Sequence, residues 1–251
     1  MAKHVLILGC GRSGTSILGE LFQAIPYYRY LSEPDLDILA SVDFRKPIAV
    51  KVPRPLSHHK TSPGLPFYWP DFTKIIAEPV VIIWQVRHPL DSICSLIVGI
   101  SRNWGHHPRP QDWQEWCHKS LIERCAYHWN YLNTKGYRQV KNRAVVNRFE
   151  DMISNPLDNA QKVLAIAGVD IPHYQEEVAN WAQRVQNTSN RHFVEAECSI
   201  PYSTQDHRVK VDRWKENLSV NDLSLAIPLV SSGAREFLYS LPELEKLGKL
   251  Q

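Results

Sequence analysis

The sequence predicts an α/β fold, a parallel β-sheet flanked by helices, forming a single domain over residues 1–251. Three observations carry this. Continuous apolar runs recur as HVLILG, PIAVKV, VVIIWQV and AVVNRF, the pattern of strands buried on both faces of a parallel sheet. Helical patterns lie between the runs, so right-handed βαβ crossovers join them. The chain has 251 residues, 43% hydrophobic and 22% charged, enough for a sizeable core and unlike disordered or fibrous chains.

Taken in order, His4 to Gly9 forms the first strand and breaks into a glycine loop. Ile17, Leu18, Leu21, Phe22 and Ile25 then share one helical face, which Pro26 ends. Pro89 opens a second helix as its first residue, with Ile93, Leu96, Ile97 and Ile100 facing inward. Asp112 and Glu115 form a capping-box pattern, predicting a long helix that carries Trp113, Trp116, Leu121 and Trp129 and ends near Gly136. Asn155-Pro156 opens another helix through Val163, Leu164 and Ile166, stopped by Gly168. From His173 on the chain reads as helical, with one irregular stretch between Thr188 and Lys215. The Pro- and His-rich segments Pro53 to Pro70 and His106 to Pro110 lack periodicity and read as surface loops near the strand ends.

Charge narrows the function. With 29 basic and 26 acidic residues the net charge is +3, too balanced to indicate nucleic acid, so local clusters must carry any anion binding. Cys10, Cys94, Cys117, Cys125 and Cys198 are odd in number and form no CxxC pair, which points to a reducing compartment rather than a disulfide framework. Cys117, His118, Cys125 and His128 scatter over several helical faces, a poor metal set. No apolar stretch reaches the roughly 20 residues of a membrane span, and the N-terminal run leads into glycines rather than a cleavage site, so a soluble cytoplasmic protein is expected.

The glycine loop carries the chemistry. In GCGRSGTS, Gly9 and Gly14 are spaced as in a strand–loop–helix phosphate cradle, followed by the hydroxyls of Thr15 and Ser16. A nucleoside-triphosphate loop needs lysine after the second glycine, where this chain has Thr15, so a kinase using ATP and magnesium is the weaker alternative. The loop's cation is Arg12, beside Ser13, whose guanidinium suits one terminal phosphate or sulfate. In VVIIWQVRHPLDSICSL, Arg87 closes a strand and Ser95 follows eight positions later, about two turns into the next helix. That spacing suits two groups meeting over a second phosphate.

Together these segments resemble the PAPS-dependent sulfotransferases, whose donor is 3′-phosphoadenosine 5′-phosphosulfate. GCGRSGTS is similar to that family's 5′-phosphosulfate loop, and RHPLDSICS to its 3′-phosphate motif. RSGTSILGELF with YLSEPDLDIL resembles the carbohydrate and protein-tyrosine branches, which carry arginine in the loop. IAVKVPR resembles the strand-end lysine segment, and VVNRFEDMISNP the fourth-strand arginine–acid segment. The resemblance implies a P-loop-like sulfotransferase fold, transfer from PAPS to an acceptor hydroxyl with adenosine 3′,5′-bisphosphate as product, and a small-molecule or glycan acceptor. It implies that Gly11, Arg12, Ser13, Gly14, Thr15, Ser16, Arg87 and Ser95 hold the donor. Arg12 and Lys51 would then stabilise the transferring group without a metal. Two departures stand out. Where cytosolic members carry a catalytic histidine two residues after the lysine, this chain has Pro53. The late RxGxxG element appears only as HRVKVDRW, with Arg208, Lys210, Arg213 and Trp214 as candidate donor contacts but no glycines. Glu33, matching the acid proposed as base in tyrosine and trehalose sulfotransferases, is the replacement base, and Pro34 predicts an extended conformation for it. Asp35 and Asp37 nearby, and the loop pairs His58-His59 and His106-His107, are the competing bases, and Trp69 and Trp104 are candidate acceptor contacts.

Overall fold

The structure, a computed structural model, describes residues 2–34, 36–52, 69–100, 109–185 and 211–244. Its centre is a five-stranded, all-parallel sheet in the order β2-β3-β1-β4-β5. The strands are β1 (His4–Gly9), β2 (Arg29–Ser32), β3 (Ile48–Lys51), β4 (Val80–Val86) and β5 (Ala144–Arg148). β1, β3 and nearly all of β4 are buried, because helices cover both faces of the sheet. Successive side chains alternate between two cores. Leu6, Leu8, Val50, Ile82 and Trp84 face one, and Val5, Ile7, Ala49 and Ile83 face the other.

Helices α1 (Thr15–Ala24), α2 (Leu36–Ala40), α3 (Trp69–Ile75), α4 (Pro89–Ile100), α5 (Trp113–Trp116), α6 (Leu121–Tyr131), α7 (Phe149–Ser154), α8 (Pro156–Ile166), α9 (Gln175–Arg184), α10 (Trp214–Asn217) and α11 (Val220–Glu236) follow in chain order. α4, α6 and α11 cover the first core, and α1, α7, α8 and α9 the second. On the second side Trp181 of α9, fully buried, donates from Nε1 to Ile17 O at 3.0 Å, tying α9 to the helix that leaves the glycine loop. Having built β2 and β3 on one side of β1, the chain crosses to β4 on the other. The carboxyl ends of β1 and β4 therefore flank the crevice in which open α/β sheets bind ligands.

The apolar faces of α1 and, through Ile93, Leu96 and Ile97, of α4 follow the sequence, the side chain of Ile100 lying outside what the structure describes, and α8 opens at Pro156 as expected. One strand went unannounced, and three expectations need correction. The half-exposed strand β2, Arg29–Ser32, has no apolar run to announce it; it forms because its backbone pairs with β3 at the sheet edge. β5 is not buried on both faces: Val145 and Val146 are 39% and 38% exposed, because among the described residues β5 pairs with β4 alone. No long helix starts at Asp112. The chain forms the short α5 and then restarts at α6, where Ser120 and Glu123 make a reciprocal capping box. Asp112 instead accepts hydrogen bonds from the Tyr127 hydroxyl and Trp116 Nε1, so its carboxylate is not available to cap. Finally, Trp69 and Pro70 open α3 rather than ending a loop. Residues 53–68, including His58 and His59, and 101–108, including Trp104, His106 and His107, lie outside the described residues. Among the described residues no helix is long and apolar enough to cross a membrane.

Candidate active site at the carboxyl edge of the sheet

β1 runs straight into the loop, and the loop turns because two residues adopt left-handed backbone: Arg12 at φ 70° and Gly14 at φ 89°. Gly14 is the N-cap of α1 and cannot be replaced cheaply, since a Cβ there would lie 2.5 Å from Phe149 Cδ2. Gly9 admits the backbone of β4, because a Cβ at that position would come within 2.2 Å of Gln85 O. Ser13 N donates to Cys10 O at 3.2 Å, closing the turn. The first N–H groups of α1 have no partner within the helix, and Gly14 offers no side chain to cap them. Backbone donors at a helix start with the positive end of its dipole form an anion site. Ser13 is fully buried, and its Oγ has no hydrogen-bond partner among the described residues.

Lys51 ends β3 beside this loop. Its side chain is 3% exposed; Nζ donates to Ser16 Oγ at 3.1 Å and pairs with Glu33 Oε1 at 2.8 Å. Glu33 stands one residue past β2, where its N–H donates to Lys51 O at 2.8 Å and extends the β2–β3 pairing. Its φ is 54°, left-handed rather than extended as Pro34 predicts. The backbone bond and the ion pair to Lys51 hold this conformation against a local cost of about 1–2 kcal/mol. Nearby Tyr30 has its hydroxyl pushed up to about 12, chiefly by burial, so it keeps its proton at neutral pH.

The second segment meets the loop through Arg12. Arg12 Nε donates to Ser95 Oγ at 3.0 Å, and Arg87 Nη1 donates to Arg12 O at 3.4 Å, so one loop residue joins the two strand-end features read from sequence. Arg87 is buried, its guanidinium 4.1 Å from the centre of the Phe149 ring. Burial pulls its pKa below the ordinary arginine value, opposed by Asp91 and reinforced by Arg213. Of the HRVKVDRW candidates, Arg208 and Lys210 lie outside the described residues. Arg213 is buried, and the Trp214 ring stacks on His88 with centroids 6.1 Å apart.

Sequence reasoning missed the residues that anchor this corner. Asp91, fully buried in the first turn of α4, accepts from Asp212 N at 2.8 Å and Trp214 N at 3.0 Å, pinning the Arg213 segment next to Arg87. Glu150 takes His88 N and the Tyr239 hydroxyl, each at 2.7 Å. The only trace of Asp91 in the sequence is an acid just after a helix-opening proline, which an exposed first-turn acid shares.

Comparisons with known proteins follow the same line. The sulfotransferase domain family matches residues 2–224. Among curated proteins none matches the chain. Among solved structures, the sulfotransferase domain from the curacin biosynthetic pathway aligns over 96% of this chain and 99% of its own, with a TM-score of 0.55 at 11% identity. A mouse sulfotransferase complexed with PAP aligns over 99% of this chain and 89% of its own, at 0.53 and 17%. A sulfotransferase from Mycobacterium avium aligns over 96% and 78%, at 0.55 and 11%. At such identities these structures show a shared fold, and with the family match over most of its length, the chain belongs to the sulfotransferase domain family.

Proposed function

We propose that the protein transfers a sulfuryl group from PAPS to a hydroxyl of a saccharide-containing acceptor, releasing adenosine 3′,5′-bisphosphate. One observation carries the reading: a helix-start anion cradle, a strand-end lysine and a carboxylate converge, with Lys51 bridging Ser16 and Glu33. The described residues fit the nucleotide. A buried hydroxyl with no hydrogen-bond partner among the described residues, the helix-start N–H groups and the cations Arg12, Lys51, Arg87 and Arg213 gather at one sheet edge. When bound, the donor supplies an activated sulfuryl group.

In this reading the N–H groups of Gly14, Thr15 and Ser16, with the hydroxyls of Ser13, Thr15 and Ser16, bind the 5′-phosphate, next to Gly11 in the turn. Arg87, Ser95 and Arg213 take the 3′-phosphate, with Trp214 beside them, and Arg208 and Lys210 remain candidates for the same end. Arg12, bonded to Ser95, spans the two ends. Lys51 stabilises the negative charge that gathers on the leaving phosphate oxygen, as fixed cations do in phosphoryl transfer. As Lys51 turns its hydrogen bond to that oxygen, Glu33 is released from the ion pair and accepts the proton of the acceptor hydroxyl.

The acceptor assignment rests on the likeness of RSGTSILGELF and YLSEPDLDIL to the carbohydrate branch and on a carboxylate standing where a base is needed. Transfer of labelled sulfate from PAPS to a panel of saccharide and phenolic hydroxyls tests it. Labelled saccharide is expected. Transfer to phenols alone would overturn the acceptor class.

A further inference from the structure

Three buried amide side chains run in series from the glycine loop to α8. Gln85 of β4, Asn147 of β5 and Asn159 of α8 are 0%, 7% and 6% exposed. Gln85 Nε2 donates to Ser13 O at 3.1 Å, Asn147 Nδ2 to Gln85 Oε1 at 2.7 Å, and Asn159 Nδ2 to Asn147 Oδ1 at 2.8 Å. Burying amides is costly unless they are paired, so the interior of an otherwise apolar sheet has to be explained here. The inner end sets the polarity of the whole chain. A backbone carbonyl only accepts, so Gln85 must turn its NH₂ group to Ser13 and its oxygen outward. That oxygen then requires a donor, which is Asn147, and Asn147 requires Asn159.

What the chain fixes is one peptide plane. The carbonyl of Ser13 and the N–H of Gly14 belong to the same trans peptide and point in opposite directions. With the oxygen drawn toward Gln85 in the sheet, the Gly14 N–H is turned away from the sheet, alongside the N–H groups that begin α1 and have no partner within the helix. Glycine at 14 makes this peptide easy to rotate, and a rotated peptide would present a carbonyl oxygen where an anion must bind. Gln85 is also the register partner of Gly9, so the restraint is built into the strand that flanks the loop.

We infer that Gln85, oriented by Asn147 and Asn159, is a positioning residue that holds the Ser13–Gly14 peptide with its N–H toward the 5′-phosphate of the donor. The inference rests on the reading of the glycine loop as the 5′-phosphate cradle. It is tested by calorimetric titration of adenosine 3′,5′-bisphosphate, adenosine 5′-monophosphate and adenosine 3′-monophosphate into the full chain as wild type, Gln85→Leu, Asn147→Asp and the double variant. Thermal melts fix a temperature at which each is folded. Gln85→Leu is expected to weaken both 5′-phosphate ligands about 10-fold, the order of one hydrogen bond to a charged group, and to leave the 3′-monophosphate within about twofold. Asn147→Asp is expected to do the same, since a carboxylate cannot donate to Gln85 Oε1, and to add nothing in the Gln85→Leu background. If Asn147→Asp does not fold, Asn147→Leu removes the donor without adding a charge. Unchanged affinities, equal losses for all three nucleotides, or additive losses would overturn the inference while leaving the donor assignment intact. A wild-type protein that binds no bisphosphate would overturn the donor assignment and this inference with it.

Discussion

Replacing Glu33 by glutamine keeps the shape of the side chain and removes its charge and its capacity to accept a proton. Lys51 then loses the Glu33 carboxylate but keeps Ser16 Oγ, 3.1 Å away, and gains a neutral amide oxygen where Oε1 stood at 2.8 Å. Breaking a fully buried ion pair costs about 3–5 kcal/mol. The Glu33 side chain is 19% exposed and the Lys51 ammonium stays hydrogen-bonded, so a loss of about 1–2 kcal/mol is expected here, discounted for solvent screening. At about 2–4 °C per kcal/mol for a chain of this size, the melting temperature should fall by about 2–8 °C. Donor binding should hold or tighten, because Lys51 no longer shares its charge with the Glu33 carboxylate. Turnover on the acceptor found by screening should fall by about 10²–10⁴-fold, the contribution of a positioned general base. The assay follows labelled sulfate on the acceptor at saturating donor, beside calorimetry and a thermal melt. Near-normal turnover in the folded variant would refute the assignment of Glu33 and return attention to His58 and His59.

Three further outcomes are expected. Arg87→Ala should weaken adenosine 3′,5′-bisphosphate by about 1.5–3 kcal/mol while sparing adenosine 5′-monophosphate, by titration; equal losses would make Arg87 a structural residue stacked on Phe149. Gly14→Ala must relieve a 2.5 Å approach to Phe149 and a left-handed backbone, so denaturant unfolding should show a loss of about 2–4 kcal/mol. Burial pushes the Cys94 thiol from 9.0 up to about 12. Between those values the unfolded chain holds fewer protons than the folded one, so this residue's share of stability is complete below pH 9.0 and is lost as pH rises toward about 12. Stability measured against pH in wild type and Cys94→Ala should diverge over that window, and parallel curves would contradict the shift.

Much of the site was legible because its chemistry is local in sequence. The glycine loop needs its residue types in order along eight positions, and Arg87 with Ser95 sit on one strand–helix junction. Lys51 was legible as a strand-end cation. The conformation of Glu33 was not, because the local preference set by Pro34 loses to a backbone bond and an ion pair supplied by β3, eighteen residues on. Asp91 and Gln85 were hidden for a related reason: a buried acid or amide reveals its task only through the backbone groups it meets, which come from residues 121 and 72 positions away. In the fold, the central strands announced themselves by apolar runs, whereas the half-exposed edge strand β2 depends on pairing that no single stretch encodes. Asp112 carried the spacing of a cap, but its contact with Tyr127, a turn or more into the next helix, took its carboxylate elsewhere.

The central claim is that this sheet edge holds a nucleotide with a phosphate at each of the 3′ and 5′ positions. Calorimetric titration of the wild-type protein with adenosine 3′,5′-bisphosphate, beside ATP with magnesium, tests it most directly. Saturable one-to-one binding of the bisphosphate, tighter than ATP–magnesium and weakened when either phosphate is removed, is the predicted result. Tighter binding of ATP–magnesium, or no saturable binding of the bisphosphate by folded protein, would contradict it.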